Sequence, residues 1–281
     1  ATASGGFHAV NPTRILDTRN GTGISNGPIR IGDGSQSSTN PIFRADDRAN
    51  HDLQVTGVAG IPTSGVSAVL LNLTAVEPPT SGYITVGPRP AGTGDVFNDQ
   101  FTYGSWPNAS NLNTQPGQTV PNLVLARVGA GGKIRLYNFN YPTHMVADVA
   151  GWFDTSALTS TSRGSSFFGV PPQRVLDTRN GIGEASAVSG GKFAPLDSRT
   201  FTIAGVAGVP NNVESVVLNI TAVSPTGTGW VTAYPDNTTR PDASNLNLNP
   251  DSDRSNLAVV KVGSNGKIRL FVAEAETHLI V

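Results

Sequence analysis

"RILDTRNGTG", from Arg14 to Gly23, returns nearly unchanged as "RVLDTRNGIG", from Arg174 to Gly183. Working outward from this match, the chain proves to be doubled. GVAGIP (Gly57 to Pro62) returns as GVAGVP (Gly205 to Pro210), LLNLTAV (Leu70 to Val76) as VLNITAV (Val217 to Val223), and SGYITVGP (Ser81 to Pro88) as TGWVTAYP (Thr228 to Pro235). ASNLN recurs at Ala109 to Asn113 and Ala243 to Asn247, and GKIRLY (Gly132 to Tyr137) as GKIRLF (Gly266 to Phe271). The order is the same in both halves. A unit of this length is too long for a solenoid turn or a propeller blade and has the size of an ordinary domain. The expectation is two tandem domains, 7–153 and 167–281, after a short tail at 1–6. The Ser/Thr-rich stretch 154–166 between them has few large apolar residues, cannot pack a core, and reads as a linker.

Apolar residues alternate, or run in short β-branched blocks, and Gly, Pro and Asn interrupt them roughly every eight to twelve residues, the pattern of an all-β chain. In copy 1 the expected strands are Thr13–Thr18, Asp52–Thr56, Ala68–Val76, Tyr83–Val86, Leu123–Val128, Ile134–Asn138 and His144–Phe153. No helix-length periodicity appears. Each copy then has enough strands for a two-layer sandwich or a closed barrel, and the sandwich, jelly-roll-like, is the reading adopted.

Composition narrows the function. Charged residues make up 14% of the chain, the formal net charge is −1, and there is no cysteine. A near-neutral surface has no electrostatic grip on phosphate backbones, which argues against nucleic acid as a partner. Without cysteine there is no disulfide framework and no thiolate metal site, although each copy is large enough to bury a core unaided. No stretch approaches the roughly eighteen apolar residues of a membrane-spanning helix, so a soluble chain is expected. The ATASGG start carries no apolar run, as if a secretion signal had been removed or never attached. The low charge and the abundance of Gly, Thr and Asn suit an exported protein.

Within the decamer, Asn20-Gly21 and Asn180-Gly181 supply the dipeptide best able to hold positive φ in a tight turn after a strand. Asp17 with Arg19, and Asp177 with Arg179, fall two residues apart, so each pair can make a charge-assisted contact. Two readings stay open: a clamp tying the first strand to its domain, or a polar pocket repeated in each copy. The shared Asn72/Asn219, Asn111/Asn245 and Asn122/Asn256 most simply satisfy backbone groups at bulges and strand ends, and His144/His278 are read as hydrogen-bonded structural groups.

Catalytic signatures are absent: no G-x-S-x-G elbow, H-E-x-x-H, P-loop or cysteine nucleophile. Asp95 and Asp99 could in principle form a glycosidase pair, which keeps a glycan hydrolase as an alternative. One metal candidate stands in NPDSDRSN of copy 2, where Asp251, Asp253 and Ser255 alternate as oxygen ligands do in a calcium loop, but the glycine and distal glutamate of a full loop are missing. No other cofactor is expected.

The copies differ most between Pro88 and Ala109, where copy 1 carries an insertion within Ala91 to Pro107 with Phe97, Phe101, Tyr103 and Trp106 among Gly and Asp. Aromatic rings beside carboxylates and amides suit stacking on sugar rings. In copy 2, Trp230 and Tyr234 share a strand face, followed by Asp236, Asn237, Arg240 and Asp242. These aromatics are equally readable as core residues. Copy 2 also reaches only THLIV (Thr277–Val281), short of the DVAGWF that closes copy 1; a short last strand leaves a sheet edge partly unpaired, inviting strand addition or self-association.

Taken together, P-x-R-x-L-D-T-R-x-G-x-G, G-V-x-G-[IV]-P, N-[LI]-T-A-V, G-[YW]-[IV]-T, A-S-N-L-N, G-K-[IV]-R-L and D-V-A-G-W-F resemble the tandem repeat module of secreted and cell-wall-associated actinobacterial proteins. The resemblance covers nearly the entire chain. It implies export and an accessory role at a surface, and it carries over no catalytic residue. The resulting expectation is a non-catalytic, lectin-like extracellular protein binding polysaccharide or cell-wall glycan through Asp95, Asp99, Tyr103, Trp106, Trp230, Tyr234, Asp236, Asn237, Arg240 and Asp242. The alternative from a different class is a stalk or self-assembling surface component.

Overall fold

The computed structural model describes residues 5–24, 31, 50–92, 109–139, 143–155, 164–183 and 191–281. Among these the chain is all-β apart from a 3-10 turn at Ala130–Gly132. The strands are β1 (Phe7–Asp17), β2 (Asn50–Gln54), β3 (Val66–Val76), β4 (Gly82–Pro88), β5 (Leu112–Thr114), β6 (Val120–Arg127), β7 (Lys133–Phe139) and β8 (His144–Asp154). They continue with β9 (Ser198–Thr202), β10 (Ser215–Val223), β11 (Gly229–Pro235), β12 (Leu246–Leu248), β13 (Arg254–Lys261), β14 (Lys267–Ala273) and β15 (His278–Ile280). No helix among the described residues is long and apolar enough to cross a membrane.

The chain divides into two compact units, residues 1–5 with 14–163 and residues 6–13 with 164–281. Residues 6–13 therefore go with unit 2, although in sequence they open copy 1. The local cause is backbone pairing: Phe7 and Ser165 exchange two N–H to C=O hydrogen bonds, at 2.9 and 2.8 Å. Most of the expected linker, 156–163, lies outside the described residues; Asp154 is the last residue of β8.

Each unit is a sandwich. In unit 1 one sheet has the order β1-β8-β3-β6 and the other β2-β7-β4-β5. In unit 2 the sheets are β13-β10-β15 and β12-β11-β14-β9. Period-2 alternation aims one face of every strand inward. Val69, Leu71 and Leu73 of β3 are buried, as are Ile84 of β4, Ile134 and Leu136 of β7, and Met145, Ala147 and Val149 of β8. Unit 2 repeats the scheme in one cluster that joins Ile220 of β10 and Val260 of β13 to Val231 of β11 and Leu270 of β14. All seven strands expected in copy 1 form. The sequence reading lacked β5, which begins in the ASNLN motif, ends one residue beyond it and is too short to show alternation.

The two units differ at one strand. β8 pairs along β3 from Val66 to Val76, with a bulge at Ala150, whereas β15 pairs only Thr221 to Val223 of β10. β3 is consequently paired along both edges, whereas residues 216–220 of β10 pair with β13 alone among the described strands.

Candidate functional site

The decamer folds into the same device twice. β1 ends at Asp17, so Arg19 lies in the following turn rather than on the strand, and a bridge between Asp17 and Thr22 closes that turn. Gly21 and Gly181 take φ of 87° and 77°, the left-handed region the Asn-Gly pair was expected to supply. The Asp17 carboxylate accepts from the Arg19 backbone N–H, from its Nε at 2.9 Å and from its Nη2 at 2.7 Å. Asp177 accepts the same three donors of Arg179, at 3.1, 2.9 and 2.8 Å, and a fourth from Arg174 Nη1 at 3.0 Å. The Arg179 hydrogen bonds outweigh burial and hold the Asp177 carboxyl down at about 2. Next along the turn, the hydroxyls of Thr18 and Thr178 accept from the backbone N–H of Met145 and Leu279 and contact Nδ1 of His144 and His278 at 3.0 Å. The carboxylates of Asp17 and Asp177 are buried, while Arg19 and Arg179 keep 47% and 44% of their side chains exposed. His51 of β2 is partly buried; desolvation lowers it to about 4 and keeps it neutral at physiological pH.

Two of the repeated asparagine pairs, Asn111/Asn245 and Asn122/Asn256, bind backbone. Asn245 Oδ1 accepts from the Ala233 N–H at 2.7 Å, and Asn256 Nδ2 donates to the Asn245 carbonyl at 2.7 Å. Unit 1 has the same bonds from Val86 N–H to Asn111 Oδ1 at 2.7 Å and from Asn122 Nδ2 to the Asn111 carbonyl. The side chain thus replaces a ladder bond where the strand bends away. Asn245→Ala orphans the Ala233 N–H, which makes its bond in the buried interior, and is expected to cost about 1–3 kcal/mol in chemical denaturation.

A second polar centre escaped the sequence reading. In unit 1, Asp52 of β2 accepts from Arg135 of β7 at 2.6 and 2.9 Å and from Arg89 Nε at 2.7 Å. In unit 2, Arg269 of β14 stands where Arg135 does, but its carboxylate is Asp236, at 2.9 and 2.7 Å, and Thr200 replaces Asp52. Asn265 and the Thr200 hydroxyl also donate to Asp236. Burial pushes the Asp236 carboxyl up, yet the Asn265 and Arg269 hydrogen bonds prevail and leave it at about 2. The carboxylate has moved from the β2 position to the end of β11, and the arginine has stayed. The signal was present in the repeat alignment: an arginine kept in GKIRL while Asp52/Arg89 becomes Thr200/Asp236.

Among the expected glycan-binding residues, Trp230 and Tyr234 share one cluster in unit 2 and Asp236 follows β11, but Tyr234 and Asp236 are not available as contacts. Tyr234 is 4% exposed and packs with Phe271, Ala273 and Trp230 in a cluster separate from the main core. Asp236 is consumed by Arg269. Trp230 remains half-buried at the cluster's rim, and Asn237, Arg240 and Asp242 are exposed in the loop after β11. Arg240 lies over the Phe271 ring at 3.9 Å, a cation–π contact that keeps a guanidinium flat on this face. Asp95, Asp99, Tyr103 and Trp106 lie outside the described residues.

The calcium candidate is a turn in which Asn249 bridges Ser252. Asp253 accepts the Ser224 N–H at 2.8 Å, Ser255 belongs to β13 opposite Thr221, and Asp251 is exposed with φ of 53°. Among the described residues no group of three or more His, Asp or Glu side chains converges where a metal ion could be held.

The chain matches no family model and no curated protein. Among solved structures it is similar to the N-terminal CBM22-1-CBM22-2 tandem domain of Xyn10C from Paenibacillus barcinonensis, at 14% identity over 99% of each chain with a TM-score of 0.27. Likeness at that level bears on neither mechanism nor ligand.

Proposed function

We propose that this is a non-catalytic extracellular protein that binds polysaccharide or cell-wall glycan. The observation that carries the reading is the face of unit 2 at Trp230, where a half-buried indole packs against the Tyr234, Phe271 and Ala273 cluster and the Arg240 guanidinium lies over Phe271 of that same cluster, with Asn237 and Asp242 exposed in the loop of Arg240. A planar apolar surface ringed by donors and acceptors matches a sugar, whose axial C–H face stacks and whose hydroxyls hydrogen-bond. The shared polar residues support the same reading from the other side. Asp17 and Asp177 bond to neighbouring arginines, and Asn111 and Asn245 to backbone, as structural groups do. Duplicating a binding module also raises avidity with no new chemistry.

Retention of the intact chain on insoluble cellulose, chitin and peptidoglycan, followed by a glycan array, tests the proposal. Retention on one glycan class is expected, with affinity reduced at least about tenfold in Trp230→Ala and Arg240→Ala, as for loss of a stacking or charged contact. Retention that Trp230→Ala leaves intact but Trp106→Ala abolishes would move the site to the copy 1 insertion. No retention on any glycan would refute the function.

A further inference from the structure

The outer face of the β12-β11-β14-β9 sheet holds an arginine that differs from its neighbours. Four other arginines of unit 2 each end on an aspartate: Arg174 and Arg179 on Asp177 at 3.0 and 2.8 Å, Arg199 on Asp197 at 2.8 Å, and Arg269 on Asp236 at 2.7 Å. Arg240 meets no carboxylate among the described residues. Its guanidinium lies over the Phe271 ring instead, 3.9 Å from the centroid, and a guanidinium laid flat on a ring keeps its N–H edge open to an anion.

Strand register brings Phe271 to the indole. Thr232 of β11 pairs with Phe271 of β14, and Trp230 with Ala273, so Phe271 is the diagonal neighbour of Trp230 on one face of the sheet. The loop that carries Arg240 is tied down on both sides. Before it, Asp236 accepts from Arg269, Asn265 and the Thr200 hydroxyl, and the Thr238 hydroxyl donates to the Pro235 carbonyl at 2.8 Å. After it, the buried Thr232 hydroxyl donates to the Ala243 carbonyl at 2.7 Å. Pro241 further biases Arg240 towards extended backbone. A cation held this way has little freedom left to lose when a ligand arrives.

We infer, resting on the glycan reading, that the polysaccharide taken by this face is a polyuronate: one sugar ring stacks on Trp230, and a ring carboxylate of the same polymer accepts from Arg240. The planar fork of the guanidinium fits the two oxygens of a carboxylate side by side. Neutral sugars offer the indole the same stacking surface and leave the arginine without an acceptor.

The probes are polygalacturonate, alginate and hyaluronate, each beside its own methyl ester, titrated into the intact protein, with dextran sulfate as a second polyanion. At least one polyuronate is expected to bind about tenfold or more tightly than its ester, the worth of one charge-assisted contact. Arg240→Gln is expected to bring that ratio close to one, whereas Trp230→Ala weakens acid and ester together and preserves it. The comparison of acid with ester uses the unaltered protein, so misfolding of a variant cannot imitate the result. Equal binding of acid and ester, or retention on neutral glycans alone, overturns the inference and leaves glycan binding standing. A ratio that survives Arg240→Gln, or dextran sulfate bound as tightly as the polyuronate, also overturns it. Absence of binding to every polymer overturns the inference and the glycan reading together.

Discussion

Asp52→Ala is expected to destabilise unit 1 by about 3–5 kcal/mol, the cost of removing one partner of a buried ion pair. Arg135 is the reason. Its side chain is 1% exposed, and both Nε and Nη2 end on the Asp52 carboxylate. Arg89, 14% exposed, loses the same acceptor. For a unit of this size the loss lowers Tm by about 10 °C or more, readable by calorimetry of the intact chain. Unit 2 supplies the rescue, since it keeps the arginine and holds the carboxylate at the other position. Asp52→Thr combined with Arg89→Asp copies the Thr200, Asp236, Arg269 arrangement and is expected to recover at least about half of the loss, a coupling of the size expected between contacting charges. If the double variant is no more stable than Asp52→Thr alone, the two centres are not equivalent.

The second large effect is at Asp177. Asp177→Asn removes the charge that four donors share and is expected to cost about 2–3 kcal/mol, less than a fully buried pair because Arg174 and Arg179 are 49% and 44% exposed. The pH dependence follows from the direction of the shift. The folded carboxyl is held at about 2, below its ordinary 3.8. Its stabilising contribution is therefore complete above pH 3.8 and disappears as pH falls through about 2. Asp236 is depressed to about 2 as well and acts over the same window. Denaturant unfolding of the wild type should weaken steeply as pH drops across that interval, and Asp177→Asn should flatten the slope. A slope unchanged in the variant would show that the clamp contributes nothing to the acid limb.

The legible part of this protein was its local part. Doubling was visible as repeated strings, strands as alternation, and the turn after β1 as Asn-Gly; ASNLN reads as a backbone staple because Asn245 and Asn111 do one local job. The aromatic reading fared differently. Trp230, Tyr234 and Asp236 are grouped in sequence by strand face and loop, yet Tyr234 is enclosed and Asp236 is ion-paired with Arg269. Burial of a side chain depends on what the neighbouring strand brings across the sheet, here Phe271 and Arg269, and strand spacing says nothing of that. Asp52 was passed over because its partner Arg135 lies 83 residues away.

The amino-acid sequence by itself determined the tandem organisation, the all-β character and the turn chemistry, since φ preference and the two-residue period are properties of a few adjacent residues. Only the tertiary structure decided which carboxylate meets each repeated arginine and which aromatics reach solvent. Those outcomes rest on pairing between distant segments, where an ion pair or an exposed face exists only after the sheets have assembled.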